Sequence, residues 1–168
     1  MDTIEVMKSR RSVRHFTDQK VPPEYIQQLL EAAMSAPSAY GRRPWHFVVV
    51  TEEKMFDQIL ARPHYSALDT AQVGILVCGD LHVEKDEQFL IAGCSTAIEN
   101  ILIAAQSLGL GAVWSSIYPF EKEMLSFQKI FNLPEYILPI TFVPVGYPIQ
   151  KMPVIDRFEE DLVHHNQW

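Results

Sequence analysis

Two cysteines in 168 residues are too few for a disulfide scaffold, and Cys78 and Cys94 lack the CxxC spacing of a metal or redox pair. They read as two reduced thiols in a cytoplasmic protein. Positive charge is scarce too, since 14 Lys and Arg against 21 Asp and Glu leave a formal net charge of −7. No wide basic stripe offsets that balance, which argues against a nucleic-acid partner. No apolar run approaches the roughly 20 residues that span a bilayer, so no membrane partner is expected. The opening MDTIEVMKSR lacks the apolar core and cleavage site of a signal peptide. Repeats, low-complexity tracts and interdomain linkers are missing as well, so residues 1–168 read as one domain. What is present is globular: 48% hydrophobic and 21% charged residues, enough for a core of its own.

Periodicity supplies the elements. Thr3 to about Ser9 suits a short helix, and Pro23 opens a clearer one. Its buried face is Ile26, Leu29, Leu30, Ala33 and Met34, and it must stop before Pro37. His46–Thr51 reads as a strand, Glu53–Leu60 as a helix and Val73–Cys78 as a fully buried strand. Glu87–Leu108 is the longest helical stretch, apolar on most sides, with Gly109 as its cap. Ala112–Ile117 follows as a third strand, Phe120–Phe131 as a helix and Ile140–Tyr147 as a fourth strand. Pro144 lies inside that last strand, which predicts an edge or a bulge. Beyond Pro148 no periodicity survives, yet the chain ends on Trp168, which is expected to dock. The order gives an α+β or mixed α/β layer around a central sheet.

Three motifs carry little chemistry. Leu108–Val113, LGLGAV, lacks the third glycine of a dinucleotide loop and runs from helix to strand, so it reads as a cap and turn. His164 and His165 lack further ligands at metal-site spacing, and Ser115-Ser116 has no GxSxG around it. Ser9–Phe16, SRRSVRHF, is different, because it concentrates Arg10, Arg11 and Arg14 in an acidic chain. Either it is a solvated helix end, favoured by the helix dipole, or it is an anion site. For an anion the arginines offer forked donors and Ser12 a hydroxyl. The loop Ala36–Trp45 holds two more arginines and is either a connection or a binding loop.

Taken together, Arg10–Phe16, Ala36–Ala39, Pro44–Phe47, Cys94–Ala97, Asn100–Ala105, Leu108–Trp114, Tyr118-Pro119, Val145–Pro148 and Asp156–Phe158 resemble the nitroreductase family of flavin mononucleotide (FMN) enzymes. Val163–Asn166 and Trp168 extend the resemblance over nearly the whole chain, in order and at spacing. It implies an α+β fold with a mixed or antiparallel sheet between helices, built as an intertwined homodimer with FMN at the interface. Residues 148–168 would embrace the partner subunit. Arg10 and Ser12 take the family's phosphate-side roles, and Arg14 lies near the pyrimidine end of the flavin, while Arg11 is left open between directions. Pro37, Ser38 and Ala39 would reach the partner's flavin, and Trp114, Ser115 and Ser116 would pass along the ring near N5. Gly41 and Arg43 stand where the family usually has Asn and Gln. Ile155 replaces a basic residue before Asp156, leaving Arg157, with Lys151 nearby, to complete the phosphate site. Trp45 and Trp168 are packing anchors by this reading.

The resemblance implies an NAD(P)H oxidoreductase. A nicotinamide would pass hydride to flavin N5, leave, and be replaced by a small oxidised acceptor such as a nitroaromatic or quinone. No protein residue is assigned as catalytic beyond the cation at Arg14. The alternative from another class is a non-catalytic FMN-binding protein, a redox sensor or flavin reservoir.

Overall fold

In a computed structural model that describes residues 2–62 and 70–168, five antiparallel strands stand between two layers of helices. Helix α1 spans Thr3–Ser9 and is closed at its N-terminus by a capping box between Asp2 and Glu5. Helix α2 runs Pro23–Met34 with proline in its first turn, and its C-terminal Ser35 leads straight to Pro37. Leu29 and Ala33 are buried, but Met34, assigned to the buried face, is exposed. It is the last residue of the helix, where the periodic stripe runs off the core.

Strand β1 is Trp45–Val50, helix α3 Glu53–Leu60 and strand β2 Val73–Asp80, whose eight residues are all buried. Helix α4 spans Glu87–Ser107, capped by the Asp86 carboxylate, which accepts from the N–H groups of Gln88 and Phe89. Gly109, at φ +74°, ends it in the left-handed conformation that suits glycine. By length and composition α4 could cross a membrane; its packing explains the apolarity, because eight of its residues are buried, seven of them in the main core.

The single third strand expected at Ala112–Ile117 is two short ones, β3 (Gly111–Ala112) and β4 (Ser115–Ser116). Helix α5 follows at Glu121–Phe131 and strand β5 at Ile137–Gly146, three residues earlier than the alternation predicts. The order is β1-β2-β5-β3, with β4 also paired to β5. Pro144 is therefore not on an edge, and it carries no bulge, since it pairs in register with Gly74. On its other flank β3 meets Val145 and β4 meets Phe142, so Pro144 faces the gap between them. There a residue without an N–H costs little ladder. The bulge of this strand is elsewhere, where Val77 pairs with Thr141 and Cys78 with Pro139.

The α2–α4 layer and the α3–α5 layer each enclose a core on one face of the sheet. Cys78 and Cys94 sit within those cores as free thiols, Cys94 Sγ donating to the Cys78 carbonyl at 3.7 Å. Burial pushes both thiols up to about 12. An unfolded chain loses those protons near pH 8.5, so between about pH 9 and 12 the folded state binds more protons than the unfolded one. Stability should fall as pH rises through that window, by about 1.4 kcal/mol per pH unit per thiol. Urea midpoints measured at steps across it should decline more steeply for the wild type than for Cys78→Ala/Cys94→Ala. Equal slopes would show that the thiols are not buried as described.

Candidate functional site

The site is built around an extended segment that follows α1. Val13 N–H donates to the Ala112 carbonyl, Thr17 N–H to Tyr147 and Ile149 N–H to His15, laying residues 12–17 along β3 and the end of β5. Two glycines make this close approach possible. Gly111 and Gly146 are register partners, and a Cβ on either would come within 2.6 Å of Val13 or 2.9 Å of Phe16.

Extended backbone turns successive side chains to opposite sides. Arg11 and Val13 point inward, at 8% and 9% exposure, whereas Ser12 and Arg14 are exposed and Arg10 half-buried. The run R-R-S-V-R thus separates into an outward row, Arg10, Ser12 and Arg14, and an inward pair. Arg10 is held by Glu99 of α4 through Nε at 3.1 Å. Its terminal amino groups, the Ser12 hydroxyl and the Arg14 guanidinium carry no hydrogen bond among the described residues. A cavity of about 200 Å³ opens beside Ser12 and Arg14, lined also by Val13, His15, Ile149, Gln150 and Met152. A larger one of about 540 Å³ lies on the inward side, between Arg11, Gln106 and Lys151. Neither is lined by a carboxylate among the described residues, although the chain carries a net charge of −7.

The second predicted piece packs on the middle of α4. Pro37 accepts from Thr96 Oγ1 at 2.8 Å, and Ser38 Oγ accepts from the Arg43 N–H at 2.8 Å. Ala39–Gly41 forms a 3₁₀ turn in which Tyr40 and Gly41 lie at φ +54° and +66°, and Arg43 follows at +54°. The left-handed value at Gly41 explains the departure from Asn, since Gly and Asn both tolerate that conformation. Arg43 is exposed, with only a long 3.5 Å contact to the Met34 carbonyl. Its neighbour Arg42, which the sequence did not single out, pairs at 2.7 Å with Glu84, a carboxylate at 1% exposure. Arg42 also lies over the ring of Tyr40, which meets Phe89 edge-on.

Along α4, Gly93 faces Ser38, Thr96 holds Pro37, Glu99 holds Arg10 and Gln106 donates to Ser9. At 1.5 Å per residue, Thr96 and Glu99 are about one turn apart. One helix therefore positions both predicted pieces. Trp114, between β3 and β4, packs on the main core, and the Ser115 carbonyl accepts from Thr141, leaving Ser116 exposed. Tyr118 donates to Glu87 at 2.6 Å, a bond that raises its phenol above the usual range. Trp45 is a buried anchor. Trp168 is not one within its own chain: it is fully exposed, its ring 4.3 Å from that of His164. Arg157 is exposed like the rest of residues 151–168. Glu99, Glu84 and Thr96 are the site residues to which sequence reasoning gave no role; Thr96 lies within the quoted Cys94–Ala97 stretch, whereas no local pattern marks the two glutamates.

Comparison with known proteins bears on this arrangement. A family model described as the nitroreductase family matches residues 7–66 and 56–147. A candidate NADH dehydrogenase/NAD(P)H nitroreductase of Methanothermobacter thermautotrophicus is 42% identical, covering all of this chain and 88% of that protein. The crystal structure of a candidate protein of the same description from Parabacteroides distasonis superposes with a TM-score of 0.94 at 38% identity, covering 99% of this chain and 98% of the other. A candidate nitroreductase of Desulfovibrio desulfuricans, solved in complex with FMN, gives a TM-score of 0.85 at 25% identity over 100% and 98% of the two chains.

Proposed function

Because the chain belongs to the nitroreductase family, we propose that it is an FMN-dependent oxidoreductase that draws electrons from NAD(P)H and delivers them to a small oxidised acceptor, a nitroaromatic or quinone. The observation that carries this reading is the outward row of Arg10, Ser12 and Arg14, the last two lining a cavity with no carboxylate among the described residues. That donor set fits FMN. The terminal amino groups of Arg10 and the Ser12 hydroxyl suit phosphate oxygens, with Arg157 as a further cation from the tail. Arg14, the free cation of the row, suits the ring. When bound, FMN supplies two-electron transfer between nicotinamide and acceptor.

The chain's own part is to bind and orient. Glu99 fixes the guanidinium of Arg10 and so aims its remaining donors. The glycine floor under Val13 and Phe16 fixes the row itself. Arg14 holds a positive charge that opposes the negative charge added by reduction. One site serving two substrates in turn would give ping-pong kinetics. The exposed apolar tail, with Val154, Ile155, Phe158, Leu162 and Trp168 facing outward, is the surface for a homodimer embrace. A reducing cytoplasm suits both the thiols and the nicotinamide.

Arg14→Gln tests the reading at one residue. The charge is worth roughly 1–3 kcal/mol between redox states. Its loss should lower the two-electron potential of bound FMN by about 20–65 mV, while most FMN affinity remains. Spectroelectrochemistry reads the potential and a flavin titration the affinity. An unchanged potential would remove Arg14 from the ring.

A further inference from the structure

We infer that Arg11, grouped by sequence with the anion-binding arginines, is a positioning residue that clasps the C-terminal tail and acts on the cofactor through Arg157. The inference rests on the FMN reading above. The side chain of Arg11 is turned away from the outward row and is nearly buried. Its Nη1 donates to the carbonyls of Lys8 at 2.9 Å and Arg10 at 2.6 Å, and its Nη2 donates to the carbonyl of Ile155 at 3.2 Å. Nε has no partner. A guanidinium whose amino groups are engaged by backbone carbonyls on two sides is not a fork aimed at a phosphate. It is a brace. One side of the brace holds the end of α1 and the carbonyl of Arg10, the first residue of the phosphate row. The other holds Ile155, in a tail that is otherwise exposed throughout.

The consequence lies two residues further on. Lys151 and Arg157 are the lysine and arginine of the tail beyond Pro148, and Arg157 is the one nearer to Ile155 in sequence. The backbone of Ile155, rather than its side chain, is tied to the phosphate segment. The tie limits how far Arg157 can stray from Arg10. A lysine at position 11 would keep the charge, but its compact ammonium lacks the planar fork that spans the carbonyls on both sides.

The test is a double-mutant cycle on FMN affinity, with trypsin as a readout that needs no FMN. Arg157→Ala should weaken FMN binding by about 10- to 150-fold, the loss of one charge-assisted pair. Arg11→Ala should weaken it to a similar degree, and Arg11→Ala/Arg157→Ala no more than about threefold beyond Arg157→Ala alone. Without FMN, both Arg11→Ala and Arg11→Lys should release tail fragments cut at Lys151 and Arg157 at least about fivefold faster than wild type, since opening sets such rates. Multiplying effects in the double variant would show that Arg11 acts by a route other than Arg157 and overturn the proposal. So would wild-type FMN affinity in Arg11→Ala or in Arg157→Ala, or full FMN affinity and wild-type cleavage in Arg11→Lys. A wild type that takes up no FMN overturns the cofactor reading itself; the cleavage rates then decide the clasp separately, and unaltered rates overturn it.

Discussion

Replacing Arg10 by alanine should weaken FMN binding by about 10- to 150-fold, the equivalent of about 1.5–3 kcal/mol for a hydrogen bond to a charged group. The expectation follows from how Arg10 is held. Glu99 engages Nε and leaves the terminal amino groups without a hydrogen bond among the described residues. Alanine removes those donors and leaves Glu99, which is nearly half exposed, as an uncompensated negative charge near the phosphate. Both effects act in the same direction. Fluorescence quenching of free FMN on titration with protein measures the affinity directly. Unchanged affinity would return the arginine cluster to its alternative reading, a solvated helix end.

Ending the chain after Gln150 should have a larger effect still. Residues 151–168 place Val154, Phe158, Leu162 and Trp168 in solvent, and burying each against a partner is worth about 1.5–3 kcal/mol. Even after the costs of association, their loss should raise the dimer dissociation constant by more than about 10³-fold. The truncated chain should keep its secondary structure, because neither core includes a tail residue. It should sediment as a monomer and lose the rise of melting temperature with concentration that the full chain is expected to show. It should also lose FMN with Arg157. A truncated chain that still sediments as a dimer at micromolar concentration would place the subunit interface elsewhere.

The elements were legible where local chemistry decides them. Pro23 and Gly109 mark helix ends in the sequence, and the structure uses each in that way. The apolar girth of α4 reads as either a central helix or one packed against a partner subunit, and within the chain α4 is the helix against which both site pieces pack. What was not legible depends on the partner strand or the partner side chain. Pro144 reads as an edge residue in isolation, and only the gap between β3 and β4 explains it in a central strand. The same gap splits what reads as one strand at Ala112–Ile117. In the site, the arginines were visible as a cluster, but their division into an outward row and a buried brace depends on the extended backbone beside Gly111 and Gly146. The carboxylates that orient them, Glu99 for Arg10 and Glu84 for Arg42, lie 89 and 42 positions away, and nothing near them in sequence signals the pairing.

The central claim is that this row of donors serves a cofactor that turns over. The most direct measurement is anaerobic stopped flow on the FMN-loaded wild-type protein mixed with NADH or NADPH. The account predicts that the flavin absorbance bleaches within seconds with at least one of the two and returns when a quinone is added. Flavin that is tightly held yet stays oxidised under an excess of both nicotinamides would contradict it, and would make the protein a flavin-binding sensor or reservoir.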